Sequence, residues 1–411
     1  MRILVFDFSG HPFQAQLSRE LVRRGHDVVH SWCAAYVSGR GQLAAKPGET
    51  VRFEPVSTGR SIAKTSYLRR SLQEVRLGLD LVRHVLRRRP EVVLVANTPI
   101  PMLVMLGAVL AVRRTPFVLW HQDAQALAVS RLAGTKLSPV FGVLARVLGW
   151  GERWASRRAK AVVAITPAFL AVHEEWGTAD KVTVIPNWAP LDEITPRPRD
   201  NDWAARHDLV TERTLLYSGT LGLKHDPELL VGLAAAVRGH GTPVRLVVVN
   251  EGPAEPVVRA AAERHGVPLT LLPFQAYDDL PDVLAAGDLL VVLLEQDAGE
   301  FSVPSKTLSY LAAGRPVLGL MPPENLAARL IADAGGYVAG PHRSALAAAA
   351  AWADRLLRDP ARLAQLGSES RALAEREFGL ARSAEEFERI LTAAVGRWIP
   401  DRPFSVADPS S

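Results

Sequence analysis

Residues 2–32 read RILVFDFSGHPFQAQLSRELVRRGHDVVHSW and predict the first unit of the fold. Residues 2–8 form an almost continuous apolar run of strand length, and residues 14–24 repeat apolar side chains at helical spacing. Gly25 is typical of a helix end, and residues 28–32 then resume as a strand. Strand, helix and strand in this order indicate a β-α-β unit of a parallel sheet.

The same alternation continues along the chain, and an interruption near the middle divides it into two series. Further strands are predicted at residues 92–96, 116–120, 161–165, 214–217, 244–249, 269–272, 289–293 and 317–320, with helical segments between them. The interruption lies near residues 187–205, which are rich in proline and charge, as linkers are. The predicted fold class is therefore α/β, with two parallel-sheet domains that face each other across a cleft.

The linker divides the chain into predicted segments. The expected boundaries are a first domain at 1–190, a linker at 191–205, a second domain at 206–380, a final helix at 381–397 and a flexible tail at 398–411. Residues 200–202 form a D-x-D motif, a carboxylate pair that can hold a metal and a diphosphate, but they do not follow a strand. We expect a solvated tether there and no metal site.

Composition excludes several classes of protein. Of the 411 residues, 48% are hydrophobic and 22% are charged, as in globular proteins and unlike disordered or fibrous chains. The single cysteine, Cys33, excludes a disulfide framework and a cysteine-ligated zinc site. A strand predicted from residue 2 leaves no signal peptide, and the longest apolar run, 102–112, is too short to span a bilayer. We expect a cytoplasmic protein.

The two halves of the chain differ in charge. Residues 1–190 hold 26 Lys and Arg against 13 Asp and Glu, a net charge of +13, whereas residues 191–411 hold 22 against 30, a net charge of −8. A basic half can meet nucleic acid, an anionic membrane surface or acidic ligands, or can carry arginine as a solubilising residue. We do not expect the protein to bind nucleic acid. We expect the arginine-rich helix predicted at residues 67–89 to contact the inner face of a membrane.

Ligands of parallel sheets bind at the carboxyl ends of the strands, so we expect ligand-binding residues in the loops that follow the strands. In the second half these loops lie at residues 217–226, 250–253, 272–275 and 300–316. Their glycines allow close approach of the backbone to a ligand, and Lys224, His225 and Lys306 offer positive charge to a phosphate. Ordinary turns, a helix cap at Ser305 and a core Phe274 are the structural alternatives.

Two loops of the first half carry polar residues. Ser9, Gly10 and His11 follow the first strand, and His121 and Asp123 follow the strand at 116–120. Such groups suit general acid–base chemistry or hydroxyl binding, although a lone histidine is more often structural. The chain has no G-x-G-x-x-G after its first strand and no P-loop, so oxidoreductases and P-loop ATPases lose their main support.

Taken together, these loops resemble those of retaining GT-B glycosyltransferases of the glycosyltransferase family 4 type. The motifs that carry the resemblance are residues 25–28 (GHDV), 166–167 (TP), 184–188 (VIPNW), 217–222 (YSGTLG), 250–253 (NEGP), 286–288 (AGD), 303–306 (VPSK) and 310–317 (YLAAGRPV). The last two are typical of a branch that assembles bacterial polysaccharides and cell-surface sugars.

The resemblance implies transfer of a sugar, with retention, from a nucleotide-diphosphate sugar to the hydroxyl of a sugar, lipid-linked or small-molecule acceptor. It implies no metal and no other cofactor, and a final helix that packs back on the first domain. The implied donor-binding residues are Gly219, Thr220, Lys224, His225, Glu251, Gly252, Phe274, Pro304, Ser305, Lys306, Thr307 and Ser309. Implied on the acceptor side are Ser9, Gly10 and His11, with Asp123, His121 and Glu300 as catalytic residues.

One departure concerns the two glutamates, arranged E-x7-E, that most such enzymes carry. Their positions fall at Phe301 and Ser309, with Glu300 beside the first, and Thr220 stands where an arginine is usual. A serine makes a single hydrogen bond where a carboxylate accepts a bidentate pair. Two alternatives therefore stay open: a GT-B scaffold that acts as a regulatory partner, and a sugar-nucleotide epimerase of the same fold.

Overall fold

The computed structural model describes residues 1–36, 41–56, 67–122, 139–221, 225–250, 254–296 and 304–396. For residues 67–72 and 139–145 it describes the backbone only. The tail expected at 398–411 lies outside these ranges.

Two parallel sheets and the helices around them make up the described structure. The strands are β1 (Arg2–Asp7), β2 (Asp27–Cys33), β3 (Arg52–Val56), β4 (Val92–Ala96), β5 (Phe117–His121), β6 (Ala161–Ala164), β7 (Val182–Val184), β8 (Arg213–Ser218), β9 (Val244–Val249), β10 (Leu269–Leu272), β11 (Leu289–Leu293), β12 (Val317–Leu320) and β13 (Tyr337–Ala339). The helices are α1 (Pro12–Arg23), α2 (Tyr67–Arg88), α3 (Ile100–Arg113), α4 (Pro139–Arg158), α5 (Leu170–Trp176), α6 (Asp202–Arg206), α7 (Glu228–Gly239), α8 (Glu255–His265), α9 (Leu280–Ala285), α10 (Lys306–Ala312), α11 (Leu326–Asp333), α12 (Leu346–Leu357), α13 (Pro360–Glu377) and α14 (Leu380–Ala394).

The first sheet has the strand order β3-β2-β1-β4-β5-β6-β7, and every described pairing in it is parallel. Strand β1, third in this order, pairs Val5 with His30 of β2. Ile3 and Val5 pack into the core under α1, whereas Leu4 and Phe6 pack into the core under α2 and α3. Helices thus cover both faces, which explains why the first strand is apolar without alternation.

The second sheet has the order β10-β9-β8-β11-β12-β13 and is also parallel throughout its described part. Leu216 of β8 pairs with Val247 of β9 on one side and Leu290 of β11 on the other. Strand order therefore reverses beside β8, as it does beside β1 in the first sheet. Such reversals open a crevice at the carboxyl ends of the strands. The predicted α/β class with two Rossmann-like parallel-sheet domains is confirmed.

The last described helix, α14, packs against α1, β4 and β5 of the first sheet. The centroid of the Phe387 ring lies 4.5 Å from that of Trp120 and 6.2 Å from that of Trp188. At the edge of this aromatic cluster, the Glu388 carboxylate lies 3.1 Å from the Arg24 guanidinium and 2.8 Å from Nε2 of His26. The helix that follows the second domain is therefore part of the core of the first.

The chain crosses between the two domains at two places that lie side by side. The N–H of Ala189, on the outward crossing, donates to the carbonyl of Phe378, on the return, at 2.8 Å. Arg371 then donates to the carbonyl of Ile194 at 2.8 Å. The two crossings are therefore hydrogen-bonded to each other.

The linker after the first crossing lies on the second domain. Arg199 donates to the Asp288 carboxylate at 3.0 Å and to the carbonyl of Leu209 at 2.9 Å. Asn201 caps α6, since its side-chain oxygen accepts from the N–H of Ala204 at 2.9 Å. The segment expected to be a solvated tether is therefore anchored, although the Asp200 side chain itself is exposed.

The aromatic contact of α14 can be tested by Phe387→Ala. Because Phe387 is wholly buried, its truncation removes apolar contacts and leaves a cavity, with an expected cost of about 3–5 kcal/mol in the free energy of unfolding. Urea denaturation followed by tryptophan fluorescence measures this cost, since Trp120 and Trp188 lie in the same cluster. The control is Glu385→Ala on the exposed side of the helix, expected within about 0.5 kcal/mol of the parent. Equal stability of the two variants would contradict the packing.

Candidate functional site

A cavity of about 510 Å³ lies between the carboxyl ends of the two sheets. The first domain lines it with His11, Pro12, Phe13 and Gly41. The second domain contributes Ser218, Gly219 and Thr220 after β8, Phe274, Gln275 and Tyr277 after β10, and Ser305, Lys306, Ser309 and Tyr310 at α10. Its volume is that of a small-molecule site, and its position is that of the predicted cleft. We refer to it as the cleft.

Lys306 brings a positive charge into the cleft. Its ammonium donates a hydrogen bond to the hydroxyl of Tyr217 and lies 3.7 Å from the centroid of that ring. A neutral ring compensates only part of the lost hydration, and burial lowers the pKa of Lys306 from 10.5 to about 7. An anion bound beside this amine would favour its charged form.

Gly219 makes room for Lys306. A Cβ at position 219 would lie 2.7 Å from Nζ of Lys306, and Gly219 has φ +144°, in a region that favours glycine. The loop is tied down from α10, because the Tyr310 hydroxyl accepts from the N–H of Ser218 at 2.9 Å and donates to its carbonyl at 3.2 Å. The loop after β8 and the start of α10 therefore form one unit.

The turn after β10 presents an aromatic ring and an amide to the cleft. The Gln275 side chain accepts from the indole N–H of Trp203 at 3.1 Å and donates to the carbonyl of Pro273 at 2.9 Å. Both contacts hold the turn in place beside Phe274, which packs against the core. Such a turn offers a flat surface and fixed polar groups to a planar ligand.

A polar cluster at the ends of β1 and β4 adjoins the first-domain side of the cleft, and of its side chains His11 lines the cavity. Asp7, wholly buried, accepts hydrogen bonds from the N–H groups of Ser9, at 3.3 Å, and His11. Asn97, just after β4, donates to Asp7 at 3.0 Å, and the same amide nitrogen lies 3.0 Å from Nδ1 of His11. These contacts fix the backbone and the ring of His11 at the cleft.

The cleft brings together seven residues that the sequence pointed to. They are His11, Gly219, Thr220, Phe274, Ser305, Lys306 and Ser309. Another five candidates lie outside the described residues: Asp123, Lys224, Glu251, Gly252 and Glu300. Their predicted roles stay predictions.

Several expected residues do not line the cleft. Ser9 and Gly10 are buried beneath it, and the ring of His225 lies 6.4 Å from that of Tyr217 without lining the cavity. Pro304 and Thr307 line a separate cavity of about 20 Å³ instead, because Thr307 points into the core beside α11. The geometry therefore does not support direct contacts of Ser9 and Gly10 with an acceptor, nor of the other three residues with the sugar donor.

His121 lies inside the first domain, with 4% of its surface exposed. Its Nδ1 is 3.0 Å from Nε2 of His173, and its own Nε2 is 3.2 Å from the Glu152 carboxylate. Burial lowers the pKa of His173 to about 4, which keeps that ring neutral. Protein groups engage both ring nitrogens of His121, so the expected catalytic role is not supported here. The network instead ties α4 and α5 to β5.

Sequence reasoning missed the two side chains that orient His11, and it missed Tyr217, which contacts Lys306, and Tyr310, which bonds to the backbone of Ser218. Asp7 stands out only as a carboxylate within an apolar strand. Tyr310 follows Lys306 by four residues, which places both on one face of α10, and this spacing could have found it. Asn97 offers no such signal.

Another cavity, of about 550 Å³, lies at the amino ends of the first sheet, lined by Glu91, Arg114, Phe117 and Lys160 among others. No sequence-predicted site residue lies there, and parallel sheets bind ligands at the opposite edge. In the ranges that the structure describes, no group of three or more His, Cys, Asp and Glu side chains is placed to hold a metal ion.

Comparison with known proteins relates the first domain to glycosyltransferases. Residues 11–188 match a family described as a Glycosyl transferase 4-like domain. Over 145 residues the chain is 28% identical to WcaI of Escherichia coli (strain K12), whose name describes a colanic acid biosynthesis glycosyl transferase. The aligned part is 34% of this chain and 35% of WcaI, about a third of that relative.

Solved structures share the architecture of both domains. Anabaena HepE in complex with UDP and glucose has a TM-score of 0.68 and 17% identity, covering 96% of this chain and 100% of HepE. WaaG, a glycosyltransferase involved in lipopolysaccharide biosynthesis, has a TM-score of 0.67 and 16% identity, covering 95% and 100%. Sucrose-phosphate synthase from Thermosynechococcus elongatus has a TM-score of 0.69 and 15% identity, covering 96% and 99%. The chain therefore has the two-domain GT-B fold, and its residues 11–188 match the Glycosyl transferase 4-like domain.

Proposed function

We propose that this chain is a glycosyltransferase that moves a sugar from a nucleotide-diphosphate sugar to an acceptor hydroxyl. The observation that carries the proposal is the position of Lys306 in the cleft between the two sheets. Its half-buried ammonium is hydrogen-bonded to Tyr217 and lies beside Gly219. A cation held this way suits an anionic ligand. HepE, which shares the fold, has been solved in complex with UDP-glucose.

Lys306 would act on the leaving group. As the bond to the sugar breaks, negative charge grows on the diphosphate, and a fixed ammonium away from bulk water stabilises that charge more strongly than a hydrated one. Gly219, which has no side chain, leaves room for this ammonium beside the loop after β8. The base would lie against the turn at Phe274 and Gln275, and the sugar would face His11 across the cleft.

We also propose that transfer proceeds with retention and without a metal, in the assembly of cell-surface polysaccharides or glycoconjugates. The motifs at 303–306 and 310–317 and the partial similarity to WcaI support this proposal. In it, Ser309 offers its hydroxyl to the donor where the related enzymes carry a glutamate, and it lines the cleft as that role requires. The anomeric configuration of the product, read by NMR, tests retention.

We propose separately that the first domain docks on an anionic bilayer. Within the described ranges, no helix is both long and apolar enough to span a bilayer. Three neighbouring helices nevertheless expose large apolar side chains, at Leu79 on α2, Val112 on α3 (84% exposed) and Trp150 on α4 (63% exposed). Exposed arginines such as Arg76 and Arg87 accompany them on α2. Apolar and basic groups together suit the interface of an anionic membrane.

The first test is calorimetry with a panel of UDP- and GDP-sugars and the free nucleotides. We expect one of the nucleotide sugars to bind. Lys306→Met should weaken its binding by about 10- to 100-fold, because a charge-assisted hydrogen bond to phosphate is lost. The matched control is Lys160→Met, an exposed lysine far from the cleft, which should bind like the parent. Failure of every nucleotide and sugar to bind would refute the proposal, and binding without turnover in acceptor-rich extract would favour the regulatory-partner alternative.

A second test uses pH. The free cleft holds Lys306 with a pKa near 7 and the bound diphosphate raises it, so binding should weaken by up to about tenfold per pH unit above pH 7. A nucleotide sugar is the right probe, since its phosphates do not titrate between about pH 6 and 8.5. Lys306→Arg keeps its charge throughout this range and should bind independently of pH. An equally flat profile for the parent would contradict the role of Lys306.

Membrane docking can be tested by co-sedimentation with vesicles. We expect binding to vesicles that contain phosphatidylserine, little binding to pure phosphatidylcholine, and release by salt, because exposed charges are screened. Trp150→Ser should lower the bound fraction several-fold, and Val210→Ser, an exposed apolar residue outside the first domain, should not. Binding that does not depend on lipid charge or on salt concentration would contradict the proposal.

A further inference from the structure

Asp7 and His11 lie close enough to suggest a carboxylate–histidine pair, but the side-chain amide of Asn97 bridges them. The distance from Nδ1 of His11 to Oδ1 of Asp7 is 3.9 Å, too long for a hydrogen bond. The side-chain nitrogen of Asn97 lies 3.0 Å from each of these two atoms. Asn97 has φ +49°, a left-handed conformation that asparagine tolerates better than most residues, and this places its amide at the end of β4.

The directions of these hydrogen bonds follow from the carboxylate. Asp7 accepts from two backbone N–H groups, those of Ser9 and His11, and a carboxylate can only accept. Asn97 must therefore turn its NH2 group, not its oxygen, toward Asp7. The same NH2 group faces Nδ1 of His11, so Nδ1 must present its lone pair. In the neutral ring, the proton then lies on Nε2.

We infer that His11 is a hydrogen-bond donor in the cleft, which presents Nε2–H to an oxygen of the bound ligand, and that Asp7 and Asn97 are the positioning residues that select this tautomer. His11 is 37% exposed and lines the cleft, and its Nε2 has no protein partner within the described ranges. A ring held in this tautomer cannot take a proton at Nδ1 without losing the contact with Asn97.

The ligand oxygen belongs to the sugar or to its diphosphate, and this part of the inference rests on the proposed function. His11 lines the same cavity as Lys306 and Gly219, from the opposite domain. A donor from the first domain and a cation from the second would contact one anionic, oxygen-rich ligand from both sides. His11 then helps bind the donor, and the acceptor hydroxyl loses its proton to another group.

The tautomer can be observed without any ligand, in the full chain labelled with 15N-histidine. The His11 signals are assigned by their loss in His11→Gln, and spectra are recorded at about pH 8, where a free imidazole is neutral. We expect Nδ1 to resonate as an unprotonated nitrogen and Nε2 as a protonated one. In Asn97→Asp, whose carboxylate accepts, the proton should move to Nδ1 or both nitrogens should be protonated. Protonation at Nδ1 in the parent would overturn the inference.

Binding provides the second readout, with UDP-glucose, GDP-mannose, UDP and GDP as probes. His11→Gln keeps an N–H donor on a side chain of similar length and should bind the nucleotide sugar within about twofold of the parent. His11→Leu loses the donor and should bind it up to about tenfold more weakly. If His11→Leu weakens binding of the free nucleotide equally, the contact is to the diphosphate. If it weakens binding of the nucleotide sugar only, the contact is to the sugar.

The two readouts separate the inference from the proposed function. If none of these probes binds, the proposed function fails, and the NMR spectrum still decides the tautomer. If a nucleotide sugar binds and His11→Leu binds it as tightly as the parent, the donor role is overturned and the tautomer serves only the fold.

Discussion

The half-buried ammonium of Lys306 is the constraint on which the cleft depends. It rests on the ring and hydroxyl of Tyr217, and burial lowers its pKa to about 7. Any side chain at position 219 would displace it. The Tyr310 hydroxyl on α10 bonds to the backbone of the neighbouring loop, so loop and helix are tied to each other beside the amine. Such an arrangement keeps a charge poorly hydrated and fixed in direction, which is what an anionic ligand requires of its partner.

On the opposite side of the cleft, the first domain carries a cluster of hydrogen-bonded polar groups. At the ends of β1 and β4, a buried carboxylate orients an amide, and the amide orients a ring. A second polar chain joins the domains beside the cleft: the indole of Trp188 donates to Gln16, and Gln16 and Tyr277 both donate to Glu193. Burial and this carboxylate raise the pKa of Tyr277, so its hydroxyl stays protonated as a donor. Both chains link residues far apart in sequence to the walls of one cavity.

Local pattern was enough to predict the sheets and part of the site. Alternating apolar strands and helices specify a doubly wound fold, and strand-end loops point to Gly219 and Lys306 because parallel sheets bind ligands at that edge. The direction of individual side chains could not be predicted in the same way. Thr307 and Lys306 are adjacent, yet a step of about 100° along the helix sends one to the core and the other to the cleft. His121 follows its strand as predicted but meets Glu152 and His173, partners that only tertiary packing brings near.

The hydrogen bond between Ala189 and Phe378 has a mechanical consequence. Both passages of the chain between the lobes run through this one spot, so a movement that widens or narrows the gap pivots there and leaves each sheet intact. Far from the pivot, a rotation of a few degrees is amplified into a displacement of ångströms. The walls that carry Lys306 and His11 can thus approach or separate without breaking a single strand pairing.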